Sequence, residues 1–284
     1  MIAMESRKDE IRRLVEMTPD QVVSAAGDHL VVCVDIDALH RQFALDIATE
    51  IESRSEQGLP TRLILPVGPC GQYPYLVDHL NEAGVNLADC WFFFMDEYCG
   101  DDGNSVSIDH PLSFQHVARD LFLSRASPDL GLSPDHVIFP SESNIDSIDA
   151  MIEAAGGIDT CYGGIGIHGH VAFNEPERGV AELGSRRVRL NDFTITINAV
   201  RAEVGGNLES FPREAFTVGM RQILAARRIR LYCRNGTPYD WANTVLRVAL
   251  LGGPGDDYPV THIRHKDYIV TTDEDTLRTP RNVP

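Results

Sequence analysis

The stretch from residue 90 to residue 98, CWFFFMDEY, places ionisable groups directly after a strongly apolar run. Five apolar residues follow one another from Trp91 to Met95, which is typical of a strand covered on both faces of a sheet. Asp96 and Glu97 come next, so two carboxylates are expected where a buried strand meets solvent. Partial desolvation there raises a carboxylate pKa toward the range of a general base. An isolated pair of this kind is more often a loop cap or a solvated strand end.

Short apolar runs alternate with longer amphipathic segments along the rest of the chain. Strands are predicted at 30–36, 61–68, 90–98, 136–140, 159–167, 228–234 and 266–274, and helices at 38–58, 74–84, 110–123, 143–157, 211–226 and 239–253. This alternation predicts the α/β class, as a three-layer αβα sandwich with a mainly parallel, Rossmann-like sheet. We expect residues 1–28 to form a helical N-terminal extension and residues 29–284 a single α/β domain. The polar segment from about 176 to 210 is long for a connection and is expected to act as a lid or binding loop.

The composition excludes several classes of partner and chemistry. A net charge of −17 over 284 residues disfavours nucleic acid and anionic membrane surfaces. The longest apolar runs are far shorter than the roughly 20 residues that span a bilayer, and the charged N-terminus lacks a secretion signal. The six cysteines form no C-x-x-C pair, which favours reduced core thiols in a cytoplasmic protein. Schiff-base catalysis is improbable because only two lysines exist, Lys8 and Lys266.

Three glycine-containing segments follow predicted strands, at 66–74, 95–105 and 166–176. Ligands of open parallel sheets bind beyond the carboxyl ends of the strands, so these segments are expected to converge on one site. The first segment, PVGPCGQYP, precedes a helix, whose N-terminus is a natural anion site. Its candidate binding residues are Gly68, Cys70, Gly71 and Gln72, although an ordinary tight turn would have the same composition.

The segment HGHVAFNEP, residues 168–176, carries two histidines and a glutamate. His170 and Glu175 could shuttle protons near neutral pH, with the carboxylate orienting the imidazole. His168 and Gly169 complete the candidate site. A zinc site is the weaker alternative because no third firm ligand is evident, and purely structural histidines remain possible. The G-x-G-x-x-G pattern at 164–169 is not followed by a helix, so a dinucleotide is rejected and neither cofactor nor metal is expected.

MDEY followed downstream by G-x-G-x-x-GH-x-AFNEP resembles the glucosamine-6-phosphate deaminase/isomerase family, whose wider superfamily includes 6-phosphogluconolactonase. The resemblance covers roughly residues 29 to 275. It implies an aldose–ketose type reaction on a small sugar or sugar phosphate and a homo-oligomeric assembly. It also implies that Asp96 is the general base, that His170 assists ring opening and that Glu175 orients His170. Arg201 falls near the phosphate-binding arginine of the family, and the loop after residue 65 takes the place of its phosphate loop.

The chain departs from the family pattern at three places. His168 stands where the family usually has aspartate, Val67 and Pro69 alter the phosphate loop, and no lysine occurs in 235–242. The proton-moving residues are thus retained, whereas two phosphate-holding elements are changed. We therefore consider two alternatives to an isomerase or deaminase: a non-catalytic sugar sensor, and a sugar lactonase, against which the AFNEP sequence argues.

Overall fold

The computed structural model of the protein describes residues 5–236 and 241–283. Its strands are β1 (Leu30–Cys33), β2 (Thr61–Leu65), β3 (Cys90–Phe94), β4 (Asp96–Cys99), β5 (Val137–Ile138), β6 (Thr160–Gly164), β7 (Arg186–Arg189), β8 (Glu214–Thr217), β9 (Arg228–Cys233) and β10 (Tyr268–Asp273). Its helices are α1 (Arg7–Val15), α2 (Pro19–Ala26), α3 (Ile36–Glu56), α4 (Tyr73–Ala83), α5 (Phe114–Ala118), α6 (Ile148–Ala155), α7 (Asp192–Arg201), α8 (Met220–Ala225), α9 (Ala242–Leu251) and α10 (Glu274–Leu277). A π-helical turn, Arg119–Leu123, extends α5.

Within the described ranges, seven strands form a parallel sheet in the order β1-β10-β9-β6-β2-β3-β5. From β2 the chain first moves outward to β3 and β5. It then returns to β6 on the other side of β2 and continues to β9 and β10. The order therefore reverses between β2 and β6, and the loops after these two strands meet at the crevice where ligands of such sheets bind.

Side chains of β3 show how helices cover both faces of this sheet. Phe92 and Phe94 pack with residues of α3 and α4 in one hydrophobic cluster. Phe93 lies in a second cluster with residues of α6, α8 and α9. Successive strand residues point to opposite faces, so three consecutive buried phenylalanines require a helical layer on each side. The predicted three-layer αβα sandwich with a mainly parallel sheet is confirmed.

The predicted single strand 90–98 is wrong in its continuity: it is two strands, because the chain changes sheets at Met95. The Met95 N–H donates to the carbonyl of Leu65 at 3.0 Å, while the Met95 carbonyl accepts from Val218 N–H at 2.8 Å. From Asp96 onward the chain forms β4, which joins an antiparallel sheet of order β4-β8-β7 in the described part of the chain. The acidic pair is therefore the first part of a second sheet rather than a loop after a strand.

The predicted helix 211–226 is also wrong in its first half. Residues 214–217 form β8 between β4 and β7, and only Met220–Ala225 is helical. Ala215 and Phe216 are buried, and at such positions pairing with neighbouring strands outweighs the local preference for a helix. Gly219 separates the two elements, and a side-chain carbon there would lie 2.2 Å from the backbone of Gly184.

Three other segments differ from the prediction or only partly test it. The first strand ends at Cys33, because Asp35 caps α3 by accepting from the N–H of Ala38 at 2.8 Å. The polar segment 176–210, which was expected to be a lid or binding loop, contains the regular elements β7 and α7. The predicted helix 239–253 is seen from Ala242, and its expected first residues lie partly outside the described residues. No helix in the described ranges has the length and apolarity needed to cross a membrane.

Candidate active site

A cavity of about 270 Å³ opens where the ends of β2 and β6 meet the start of β4. Four of the residues predicted from the sequence line it, namely Gly68, Asp96, His170 and Arg201. Helix α7 contributes to its wall, so the polar segment after residue 176 does border the site. The expected convergence of strand-end segments is therefore seen for Gly68, Asp96 and His170, one from each segment, while Arg201 reaches the cavity from α7.

Asp96 is the buried carboxylate of this cavity. The side chain is 6% exposed, and its Oδ1 atom has no hydrogen-bond partner in the described residues. Burial, and after it the charge of Glu97, raise the pKa of Asp96 well above its ordinary value. A carboxylate with a raised pKa and an unpaired oxygen is suited to accept a proton from a bound molecule.

The His170 ring occupies space that a glycine leaves open. The Gly166 N–H donates to the carbonyl of His170 at 2.9 Å, which closes a tight loop after β6. A side-chain carbon at Gly166 would lie only 1.8 Å from Nε2 of His170. The glycine-rich sequence that resembles a dinucleotide motif therefore makes room for an imidazole at the cavity wall.

Glu175 lies behind His170. Its Oε2 atom is 3.6 Å from Nδ1 of His170, slightly longer than a hydrogen bond. Burial acts to raise the pKa of Glu175, but hydrogen bonding and the charge of His170 lower it overall. An ionised Glu175 carboxylate next to Nδ1 orients the His170 imidazole and favours the tautomer that carries its proton on Nδ1.

Asn191, the cap of α7, is a site residue that sequence reasoning missed. Its Nδ2 donates to Oε2 of Glu175 at 2.5 Å and lies 2.9 Å from Nδ1 of His168. Burial lowers the pKa of His168, with the charge of His170 acting in the same direction against that of Glu175. A neutral His168 accepts this bond on Nδ1. An Asn before the helical segment DFTIT signals a helix cap, but nothing in the sequence connects it to Glu175.

The segment between His170 and Glu175 is held by the last residue of β8 and by the residue that follows it. The N–H of Phe173 donates to Oγ1 of Thr217 at 3.1 Å. The side chain of Asn174 donates to the carbonyl of Val218 at 2.8 Å. Ala172 adopts a φ of 53°, an unfavourable conformation for a residue with a side chain. These hydrogen bonds hold the AFNEP backbone in a conformation that would be unfavourable in the isolated segment.

Glu97, predicted to bind substrate, is placed outside the cavity lining. It is 2% exposed, and its carboxylate accepts from the N–H groups of Tyr98, Phe114 and Gln115 and from Oγ of Ser113. These distances lie between 2.8 and 3.1 Å. The carboxylate therefore satisfies the first turn of α5, which ties that helix to the residue after Asp96.

The other predicted binding residues lie near the cavity without lining it. Cys70 packs against the cluster of α3 and α4, and the buried Gln72 donates to the carbonyl of Pro69 at 3.0 Å. A side-chain carbon at Gly71 would lie 2.3 Å from the ring of His40. The His40 ring therefore packs closely against this loop. Gly169 contacts the chain near residue 260 instead.

Arg234 is a second residue that the sequence prediction missed. The prediction recorded no lysine after β9, but Arg234 follows that strand directly. Desolvation, and after it the charge of Arg234, lower the pKa of Arg201 and likewise that of His40. Neither arginine forms an ion pair with a carboxylate among the described residues, and Nε of Arg234 is buried without a partner there. Arg201 thus brings positive charge to the cavity wall, and Arg234 lies close enough to act on Arg201 and on Cys70 of the loop after β2.

Metal binding has no support in the described ranges, where no group of three or more His, Cys, Asp or Glu side chains could hold an ion. His168 and His170 instead make the contacts with Asn191 and Glu175. The ionisable side chains of the cavity lining are a carboxylate, an imidazole and the guanidinium group of Arg201.

Comparison with known proteins shows the family of the chain. No family model matches the chain. A glucosamine-6-phosphate deaminase of Caenorhabditis elegans is 30% identical over 206 residues, which cover 71% of this chain and 74% of the relative. A glucosamine-6-phosphate deaminase of Porphyromonas gingivalis is 29% identical over 280 residues, 93% of this chain and 92% of the relative.

Solved structures share the fold. A monomeric glucosamine-6-phosphate deaminase of the NagB superfamily matches with a TM-score of 0.76 at 23% identity, over 88% of this chain and 99% of its own. The 6-phosphogluconolactonase of Thermotoga maritima matches with a TM-score of 0.64 at 17% identity, over 86% and 98% of the two chains. The structural likenesses establish the fold, and the sequence identity confirms the predicted resemblance: the chain belongs to the glucosamine-6-phosphate deaminase family.

Proposed function

We propose that the chain is a sugar isomerase/deaminase of the glucosamine-6-phosphate deaminase type, acting on an amino-sugar phosphate. The observation that carries the proposal is the shared cavity of Asp96 and His170. It combines an unpaired carboxylate of raised pKa with an imidazole backed by Glu175. Moving a proton between adjacent carbons requires such a base, and opening a sugar ring requires a group that both accepts and donates protons.

The proposed reaction uses these groups in turn. His170 takes the proton of the C1 hydroxyl and delivers one to the ring oxygen as the bond from C1 to that oxygen breaks. Asp96 removes the C2 proton, the electron pair forms the C1–C2 double bond of an enolamine, and the C2 ammonium group of the substrate gives one of its protons to the C1 oxygen. Asp96 then returns its proton to C1, and the C1 hydroxyl stays. Water adds to the resulting C2 imine and ammonia leaves, which gives the ketose phosphate.

Arg201 and Arg234 support a phosphorylated substrate. A phosphate that bridges two guanidinium groups relieves their mutual repulsion and gains charge-assisted hydrogen bonds. The Gly68 loop borders the same cavity and can offer backbone N–H groups. We propose that these elements take over the role of the family's lysine and Thr-rich loop.

The test incubates the purified protein with glucosamine 6-phosphate and follows ammonia and ketose phosphate together. We expect turnover in the wild type and a loss of about a thousandfold or more in kcat for Asp96→Asn. A matched control is Asp192→Asn, an exposed carboxylate on α7. Turnover that Asp96→Asn leaves unchanged would contradict the mechanism. Hydrolysis of a sugar lactone, or ligand-induced stabilisation without any turnover, would favour the lactonase or sensor alternative.

Three further features belong to the same proposal. We propose that residues 29–284 form one catalytic α/β domain with residues 1–28 as its helical extension, and that the enzyme is a cytoplasmic homo-oligomer. The N-terminal helices pack on α9, whose fully buried Arg247 donates to the carbonyl of Met17 at 3.1 Å.

Sedimentation equilibrium of the purified chain tests the oligomeric state, and a monomer at all concentrations would contradict the proposed homo-oligomer.

A further inference from the structure

We propose that Arg7 in the N-terminal helix α1 is a positioning residue for the catalytic loop 166–170, acting through the segment Gly252–Tyr258. This inference rests on the proposed function, since it assigns a task to the loop that carries His170. The segment, GGPGDDY, is called the bracing loop below. It lies between α1 on one side and Gly169 on the other.

Arg7 holds the bracing loop with most of its guanidinium donors. Its Nε and Nη2 donate to the two carboxylate oxygens of Asp257 at 2.7 and 3.0 Å. Its Nη1 donates to Glu10 at 2.7 Å and to the carbonyl of Gly253 at 2.8 Å. Glu10 in turn accepts from the N–H of Gly253 at 2.7 Å. A two-point Arg–Asp pair fixes direction as well as distance, which a single ammonium group cannot do.

Gly255 of the bracing loop permits this close approach. A side-chain carbon at Gly253 would make only an ordinary contact of 3.4 Å with the Glu10 carboxylate. One at Gly255 would lie 2.6 Å from Asp257 and 3.3 Å from the Arg7 guanidinium. The sequence of the loop is thus matched to the side chains of α1.

Tyr258 and Val260 transmit this fixed position to the catalytic loop. The Arg7 guanidinium carbon lies 5.6 Å from the centre of the Tyr258 ring. A side-chain carbon at Gly169 would lie 3.1 Å from both Tyr258 and Val260, so these side chains cover the glycine. The N–H of Val260 donates to the carbonyl of Gly169 at 2.7 Å.

Gly169 is the residue whose position decides the direction of both histidines. It lies between His168 and His170 and has a φ of 66°, a conformation that favours glycine. Its N–H donates to the carbonyl of Gly166 at 2.9 Å. A small displacement of this turn would move the His170 ring away from Glu175, and misplacement of about 1 Å can cost a hundredfold in rate.

The test compares Arg7→Ala with Arg7→Lys and with Arg13→Ala in the full chain. Arg13 lies on the same helix but pairs with Glu5 at 2.9 Å, away from the bracing loop. For Arg7→Ala we expect kcat to fall about tenfold while KM changes less than twofold. Arg7→Lys should recover only part of this loss, and Arg13→Ala should behave as wild type.

A second readout does not depend on activity. Amide hydrogen exchange of the peptide spanning residues 164–175 should become faster in Arg7→Ala and in Tyr258→Ala, and stay unchanged in Tyr258→Phe and Arg13→Ala. Unchanged exchange and unchanged kcat in Arg7→Ala would overturn the inference. A wild type without turnover would instead contradict the proposed function, while the exchange measurement would still decide whether Arg7 holds this loop.

Discussion

The side-chain nitrogen of Asn191 lies 2.9 Å from Nδ1 of His168. The same nitrogen donates to Glu175, so one amide connects His168 to the carboxylate next to His170. His168 serves as a neutral acceptor that helps to orient Asn191.

Replacing Asn191 with alanine should impair catalysis and stability together. The variant loses the bond to Glu175 and the cap bond from the N–H of Thr194, which is 2.9 Å long. We expect kcat to fall about tenfold and the free energy of unfolding to fall by about 1 kcal/mol. Asn207→Ala, which removes an exposed amide in the turn after α7, is the control. An Asn191 variant with normal kcat would show that Glu175 needs no support from α7.

Replacing Glu97 with glutamine should shift the pH dependence of turnover. The charge of Glu97 is the second cause, after burial, that raises the pKa of Asp96. Its removal lowers that pKa, so the acidic limb of the kcat/KM profile should move to lower pH. The glutamine keeps one acceptor oxygen for the first turn of α5, and a stability loss of about 1–3 kcal/mol is expected.

The control for this variant is Glu142→Gln. The Glu142 carboxylate lies outside the cavity and accepts hydrogen bonds from the N–H and Oγ of Ser105, both at 2.8 Å. A profile that shifts equally in both variants would reflect net charge rather than the neighbour of Asp96.

The stability of the protein should carry a pH signature of Asp96. Its folded pKa is raised above the unfolded value, so the native state holds this proton more tightly. Ionisation of Asp96 therefore reduces stability as pH rises from about 4, the unfolded value, through the folded pKa. The Tm gain of Asp96→Asn over wild type should be close to zero at about pH 3.5 and largest on the alkaline side. A gain that does not change with pH would contradict an Asp96 of raised pKa.

Replacing Arg234 with methionine should weaken binding of the phosphorylated substrate selectively. Loss of one charge-assisted contact to phosphate raises KM by about tenfold to a hundredfold. Unphosphorylated amino sugars should bind as they do to wild type. The matched control is Arg230→Met in β9, the strand that Arg234 follows, since Arg230 pairs with Asp267 at 3.0 Å and lines a different cavity. Equal effects on both kinds of sugar would exclude Arg234 from phosphate binding.

The catalytic candidates could be predicted from the sequence because each lies within a short segment, in which residues that are close in sequence are also close in space. Asp96 directly follows the apolar run of β3, and His170 and Glu175 are separated by only four residues. Strand and helix periodicity likewise predicted the parallel sheet. The element boundaries around Met95 and residues 211–217 were not predictable, because pairing between β4 and β8 overrides the local pattern there.

The α/β class, the family resemblance and the three candidates for proton transfer could be inferred from the order of residues. The groups that surround these candidates depend on how the chain folds. Arg234 lies close enough to act on Cys70 of the loop after β2, Asn191 bonds to Glu175, and Arg7 bonds to the bracing loop across 250 residues of sequence. Glu97, adjacent to Asp96 in the chain, is instead bonded to α5. The physical reason is that hydrogen bonding and desolvation depend on distance in the folded chain, which sequence separation does not encode.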